Sequence, residues 1–175
     1  MSRYYFVHWL DDDGPVAYGP DDPERDGLVQ EPGRVEQWLV PALHVTGGAP
    51  TDYLANSIGV RLCSARLRDV IESCRGEDDQ IQWLSAEVFD SSGARHEYQV
   101  LHFVDLPDVL DAKRTILVDP NFVVKPVVSR RKCLGRHVLA FPGADIRWIV
   151  SEVVRESVVA SGCTGMEFSE VASSD

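Results

Sequence analysis

The clearest periodicity in the chain lies between residues 64 and 76. Leu67, Val70, Ile71 and Cys74 recur at i, i+3, i+4 and i+7, the spacing that lines one side of an α-helix. Ser64 stands where an N-cap oxygen is wanted and Gly76 where a helix ends, so the pattern predicts a helix over 64–75. A weaker stripe, Val154 and Val158, preceded by Ser151 and followed by Gly162, predicts a second helix over 152–161. Elsewhere the apolar positions come in short β-favouring runs. Tyr4 to Leu10, Ile58 to Cys63, Ile81 to Phe89, Arg95 to Val104, Thr115 to Val118, Phe122 to Val128, His137 to Phe141, Ile146 to Val150 and Cys163 to Val171 read as strands. The short, Gly-containing connection Asp90 to Ala94 predicts a hairpin. Leu106 to Ala112 reads as a helical turn, and Val35 to Val45, which holds Pro41, as an irregular or edge segment. Strands dominate and the two helices are far apart. The fold class is therefore α+β with a mostly antiparallel sheet, not an alternating βαβ fold.

A polar stretch interrupts this pattern early. Residues 11–32 are rich in Asp, Gly and Pro and offer little apolar area to offset the entropy of ordering, so they predict an acidic surface loop. With 175 residues and 44% hydrophobic positions, the chain fits one domain with a real core. The N-terminal apolar run is short and ends in three aspartates, unlike a signal peptide. No stretch approaches the ~18 apolar residues that a membrane span needs. The expected compartment is the cytoplasm, where Cys63, Cys74, Cys133 and Cys163, widely spaced and without a C-x-x-C pair, stay reduced.

Charge adds a direction. The chain carries 28 acidic and 17 basic residues, a formal net of −11. Such a field repels nucleic acid and anionic lipid and attracts basic partners, though it also serves solubility alone. It is unevenly spread. Residues 1–36 hold nine acids against three arginines, a net of −6, whereas 125–136 hold Lys125, Arg130, Arg131, Lys132 and Arg136 and no acid. Either the two regions neutralise each other in the fold, or the acidic stretch docks a basic protein, where charge speeds association and sets register. On the second reading the candidate partner-binding residues are Asp11, Asp12, Asp13, Asp21, Asp22, Glu24, Asp26, Glu77, Asp78 and Asp79. Trp9, Trp38, Trp83 and Trp148 are either interface anchors or core residues.

Signatures of catalysis are missing. The sequence holds no P-loop, no dinucleotide-binding glycine motif, no nucleophile elbow and no H-E-x-x-H zinc motif. An EF-hand register on Asp11-Asp12-Asp13-Gly14 would place Trp9 and Pro20 at ligand positions, which neither can fill; a weak, irregular calcium site in the loop stays open. His96 and His102 sit six residues apart on one strand, roughly 20 Å at ~3.3 Å per residue, too far to share a metal. Carboxylate runs in polar loops are solvated, whereas acid–base work needs them desolvated. No catalytic residue, cofactor or metal ligand is expected.

Three stretches resemble the Myxococcus-type immunity-protein family of bacterial polymorphic toxin systems. They are the opening strand Tyr4-Tyr5-Phe6-Val7, the strand, Ser and helix of Val60-Arg61-Leu62-Cys63-Ser64-Ala65-Arg66-Leu67, and the C-terminal Ile149-Val150-Ser151-Glu152 followed by a helix and Gly162-Cys163-Thr164-Gly165-Met166-Glu167-Phe168. The resemblance implies a cytoplasmic, non-enzymatic protein that binds a cognate toxin and occludes its active site. A basic toxin such as a nuclease would suit the charge. Two other readings stay open: a small enzyme acting on the toxin's product or modification, and a regulatory interaction module without a toxin. Edge strands would permit a dimer without demanding one.

Overall fold

The computed structural model describes residues 3–10, 13–20, 22, 31–119, 122–144 and 146–175. Its strands are β1 (Tyr4–Trp9), β2 (Val16–Tyr18), β3 (Ala42–Thr46), β4 (Tyr53–Asn56), β5 (Leu62–Ser64), β6 (Ile81–Phe89), β7 (Arg95–Phe103), β8 (Ile116–Asp119), β9 (Phe122–Lys125), β10 (Val127–Ser129), β11 (Val138–Leu139), β12 (Ile149–Ser151), β13 (Met166–Glu170) and β14 (Ala172–Ser174). Among the described residues two helices, α1 (Ala65–Cys74) and α2 (Glu152–Ala160), join these strands in an α+β fold. Six strands close a barrel in the order β2-β3-β6-β7-β5-β4, and a four-stranded antiparallel sheet runs β11-β12-β1-β13. Most pairings are antiparallel, as the sequence predicts. Among the described residues three are parallel: β2 with β4, β3 with β6, and β10 with β14.

Alternation along the strands sorts the apolar residues into three cores. Leu43 and Val45 of β3, Leu84, Ala86 and Val88 of β6, and Tyr98 and Val100 of β7 fill the barrel. Ile81, Leu101 and Phe103 of the same hairpin serve a second core with Tyr5 and Val7 of β1, the α1 residues Leu67 and Ile71, and the α2 residues Val154 and Val158. Trp148 is buried there, with its indole N–H donating to the Tyr53 hydroxyl at 3.1 Å. The opposite side of β1, carrying Tyr4, belongs to a third core with Val123, Val128, Cys133, Leu139 and Ile149. β1 thus stands between two cores, which explains its aromatic composition.

The two stretches of clearest family resemblance meet at Asp52. Its carboxylate accepts from the Ser64 hydroxyl (2.6 Å), the Arg66 guanidinium, the Thr164 N–H (2.9 Å) and the Thr164 hydroxyl (3.1 Å). Ser64 Oγ also accepts from the Leu67 N–H at 3.2 Å, so one residue N-caps α1 and holds Asp52. Beside Thr164, Gly165 sits at φ +86°, where a side chain would overlap the Tyr53 carbonyl and Thr51 Oγ1. Burial alone would raise the Asp52 pKa, but the Arg66, Ser64 and Thr164 hydrogen bonds outweigh it and hold the carboxyl at about 2. The barrel rim, α1 and the C-terminal strand are clasped at one point.

Several local expectations change. Within the stretch expected as an acidic loop, Val16–Tyr18 form β2, because Ala17 fits wholly inside the barrel. Leu106 to Ala112 is not helical; Leu110 makes an isolated bridge with Val128. The Val109 carbonyl accepts from the Ser129 N–H and the Asp111 N–H donates to the Val127 carbonyl, both at 2.8 Å, so the middle of the segment pairs with β10 instead of coiling. Gly76 does not end α1 through a left-handed conformation. Arg75 is the C-cap, and Gly76 is required because the Gly135 carbonyl packs against it, leaving no room for a Cβ. Ser151 precedes α2 without a side-chain cap, since its hydroxyl bonds His137 Nδ1 at 2.7 Å instead. Gly162, at φ +64°, does stop α2.

Candidate protein-docking surface

Large exposed apolar residues concentrate on the β8–β9 hairpin. Val118 is 72% exposed, and Ile116, Leu117, Phe122 and Val124 are about half exposed. Neighbouring residues on a strand face opposite sides, so an unbroken exposed run over 116–119 means that both sides of β8 meet water. Among the described residues of the two strands only Val123 reaches inward, to the third core. Contiguous exposed apolar surface of this kind is a candidate docking site.

Arg147 ties this hairpin to a neighbouring groove. Its guanidinium donates to the Val123 carbonyl at 2.8 Å and lies 5.9 Å from the Phe6 ring centre. It also lines a cavity of about 380 Å³ with His8, Trp9, Leu10, Tyr53 and Ile146. Trp9 Nε1 is buried there without an acceptor among the described residues. Leu10, exposed on the rim, adjoins the acidic run, and Asp13 emerges exposed on its far side. Apolar hairpin, groove and the root of the acidic stretch therefore form one connected surface.

The expected partner-binding acids divide. Asp11, Asp12, Asp21, Glu24 and Asp26 lie outside the described residues. Asp13 is exposed and Asp22 half-buried. Glu77 and Asp78 are exposed in the turn after α1, where the Asp78 N–H donates to the Gly135 carbonyl at 3.2 Å. Asp79 is set apart: it is 1% exposed and accepts from the N–H groups of Gly76 (2.8 Å), His137 (2.9 Å) and Val138 (3.0 Å). Burial raises its pKa against the pull of those three N–H groups. Its role is to pin the turn against β11, so it is withdrawn from the docking residues. Among the tryptophans, Trp148 is core, while Trp38 and Trp83 are half-buried and donate to the Ser85 carbonyl and the Glu72 carboxylate.

The basic run pairs with acids from other parts of the chain. Arg130 pairs with Asp175 (3.0 Å), Lys132 with Asp108 (2.8 Å) and Arg136 with Asp105 (2.9 Å). None of these acids comes from the N-terminal stretch. The candidate chemistry is equally local. His96 bonds Asp90 at the tip of the β6–β7 hairpin, and His102 is buried with Nε2 on the Gly33 carbonyl. His137 does line a cavity and touches Ser151, but Ser151 is wholly buried and Asp79 bonds the His137 main chain, not its ring. Among the described residues no group of three His, Cys, Asp or Glu side chains is placed to hold a metal, and no helix is long and apolar enough to cross a membrane.

A family model described as Immunity protein family (Imm11) matches residues 23–173. The chain belongs to the Imm11 immunity-protein family. The match spans the barrel from Ala42 onward, both helices and β13, so the clasp at Asp52 lies within it. No curated protein matches the chain. Membership implies a cognate toxin as the partner, and a protein partner is what the exposed hairpin calls for. Sequence reasoning did not single out that hairpin as exposed. Its signal was present in the apolar runs at 115–118 and 122–128, but those runs look the same whether a strand is buried or exposed.

Proposed function

We propose that this protein neutralises a cognate toxin domain by covering its active site with the surface formed by β8–β9, the Trp9–Leu10 groove and the acidic stretch beyond. The observation that carries the reading is the exposed apolar hairpin on a member of an immunity family. The hairpin supplies area that becomes dry on docking, at ~25 cal/mol per Å². The acidic stretch, on a chain of net −11, supplies attraction that speeds encounter. A toxin with a basic active-site cleft, such as a nuclease, fits that charge, because an acidic inhibitor then occupies the place of phosphate. The proposed mode is occlusion rather than catalysis, in the cytoplasm where such a toxin would act.

The test is a pull-down with the recombinant product of the gene immediately upstream, followed by calorimetry at two salt concentrations. Nanomolar binding that weakens with salt is expected. No binding at ~10 μM, where a useful inhibitor saturates, would reject the reading.

A further inference from the structure

A second cavity, of about 380 Å³, opens on the loop between β10 and β11 and has the opposite character. Its size sits at the lower end of the ~300–1,000 Å³ range of ligand pockets, room for one or two side chains. Tyr4 and Cys133 are buried in its wall. The Tyr4 hydroxyl is spent on the Cys133 and Arg136 carbonyls (3.0 and 2.9 Å), so its ring offers carbon, and the loop is held in a fixed shape. Leu134 stands on the rim 72% exposed, a leucine without packing. Around it are three arginines. Arg130 and Arg136 are paired with Asp175 and Asp105, but Arg131 is exposed and has no partner among the described residues. The Nε of Arg130 is buried and likewise finds no acceptor there.

Asp175 also lines the cavity and is paired with Arg130, so the charge left over at this apolar site is that of Arg131, opposite in sign to the net −11 of the chain. We propose that the cavity receives an acidic anchor of the toxin, an apolar side chain carried next to a carboxylate. The apolar side chain covers Leu134 and Tyr4, and the carboxylate bonds Arg131. The inference rests on the toxin-neutralising reading and deepens it. A toxin held by its basic cleft at one surface and by an acidic anchor at another can dock in only one register, because any shift opposes like charges.

The decisive variant is Arg131→Glu. It takes the net charge from −11 to −13, so if overall acidity alone drives association with a basic toxin, binding holds or tightens. The anchor predicts the reverse: at least a tenfold weaker Kd, mostly through faster dissociation. Leu134→Ser, at an exposed position whose change leaves folding intact, is expected to weaken binding to a similar degree. Both are measured by calorimetry and surface-bound kinetics against the upstream gene product. Wild-type binding with Arg131→Glu equal or tighter overturns the anchor and leaves the neutralising reading standing. Absence of wild-type binding rejects that reading and the anchor with it.

Discussion

Replacing Asp52 with Asn keeps the shape of the side chain and removes the charge that holds three elements together. The amide oxygen still accepts from Ser64, but its NH₂ now faces the Thr164 N–H, which loses its acceptor inside a tight turn. Stranding that N–H costs ~1–2 kcal/mol, and weakening the Ser64 and half-exposed Arg66 bonds adds ~1 kcal/mol. The depressed pKa gives an independent figure. A carboxyl held at about 2 instead of 3.8 is worth roughly 2 kcal/mol at neutral pH, after allowing for the exposure of Arg66. The two routes agree on ~2–3 kcal/mol, or about 5–10 °C in Tm for a chain of this size. Because the folded-state pKa is lowered, this stability is present above pH ~4 and is lost as pH falls through about 2. Urea unfolding followed by tryptophan fluorescence should therefore show a gap between wild type and Asp52→Asn at pH 7 that about halves at pH 3. A gap under ~0.5 kcal/mol at pH 7, or one unchanged at pH 3, would refute the clasp.

Three further outcomes follow from the same structure. Gly165→Ala should destabilise by more than ~2 kcal/mol, whereas Gly162→Ala, equally left-handed but facing open space, should cost only ~1 kcal/mol; paired thermal melts compare them. Asp79 has a raised folded-state pKa, so its contribution is full below 3.8 and declines as pH rises through the raised value. The stability gap to Asp79→Asn should accordingly widen as pH falls from 7 to 4, and a gap that narrows would contradict the burial argument. Val118→Glu combined with Phe122→Ser should change stability by under ~1 kcal/mol per site, since Val118 is largely and Phe122 half exposed, while weakening toxin binding in calorimetry.

Local signals in the sequence carry the helices and the hairpin, because their causes are local. The i, i+3, i+4, i+7 stripe from Leu67 to Cys74 and the Ser64 cap specify α1 within a few residues, and the Gly-containing connection at 90–94 specifies β6–β7. Where a residue's partner is distant, the same signals mislead. Ser151 looks like a cap, but His137 takes its hydroxyl, and Gly76 looks like a helix stop, but Gly135 sets its size limit. Asp79 ends an acidic run that reads as solvated, yet the main chain at 137–138 draws it inside. β2 and β4 were hidden for the same reason. Their pairing is parallel and spans about 40 positions, and neither three- or four-residue segment shows a pattern of its own. The proposed docking surface was legible only in part. The acidity marked the stretch beyond Leu10, but exposure of β8–β9 depends on which cores the rest of the chain fills.

Inhibition stoichiometry tests the central claim most directly. The activity of the purified upstream gene product is measured while this protein is added at concentrations well above the Kd. Occlusion predicts a linear fall to zero activity at one equivalent, and no such fall with the Val118→Glu, Phe122→Ser variant. Residual activity at several equivalents of wild-type protein, or equal inhibition by the variant, would contradict it.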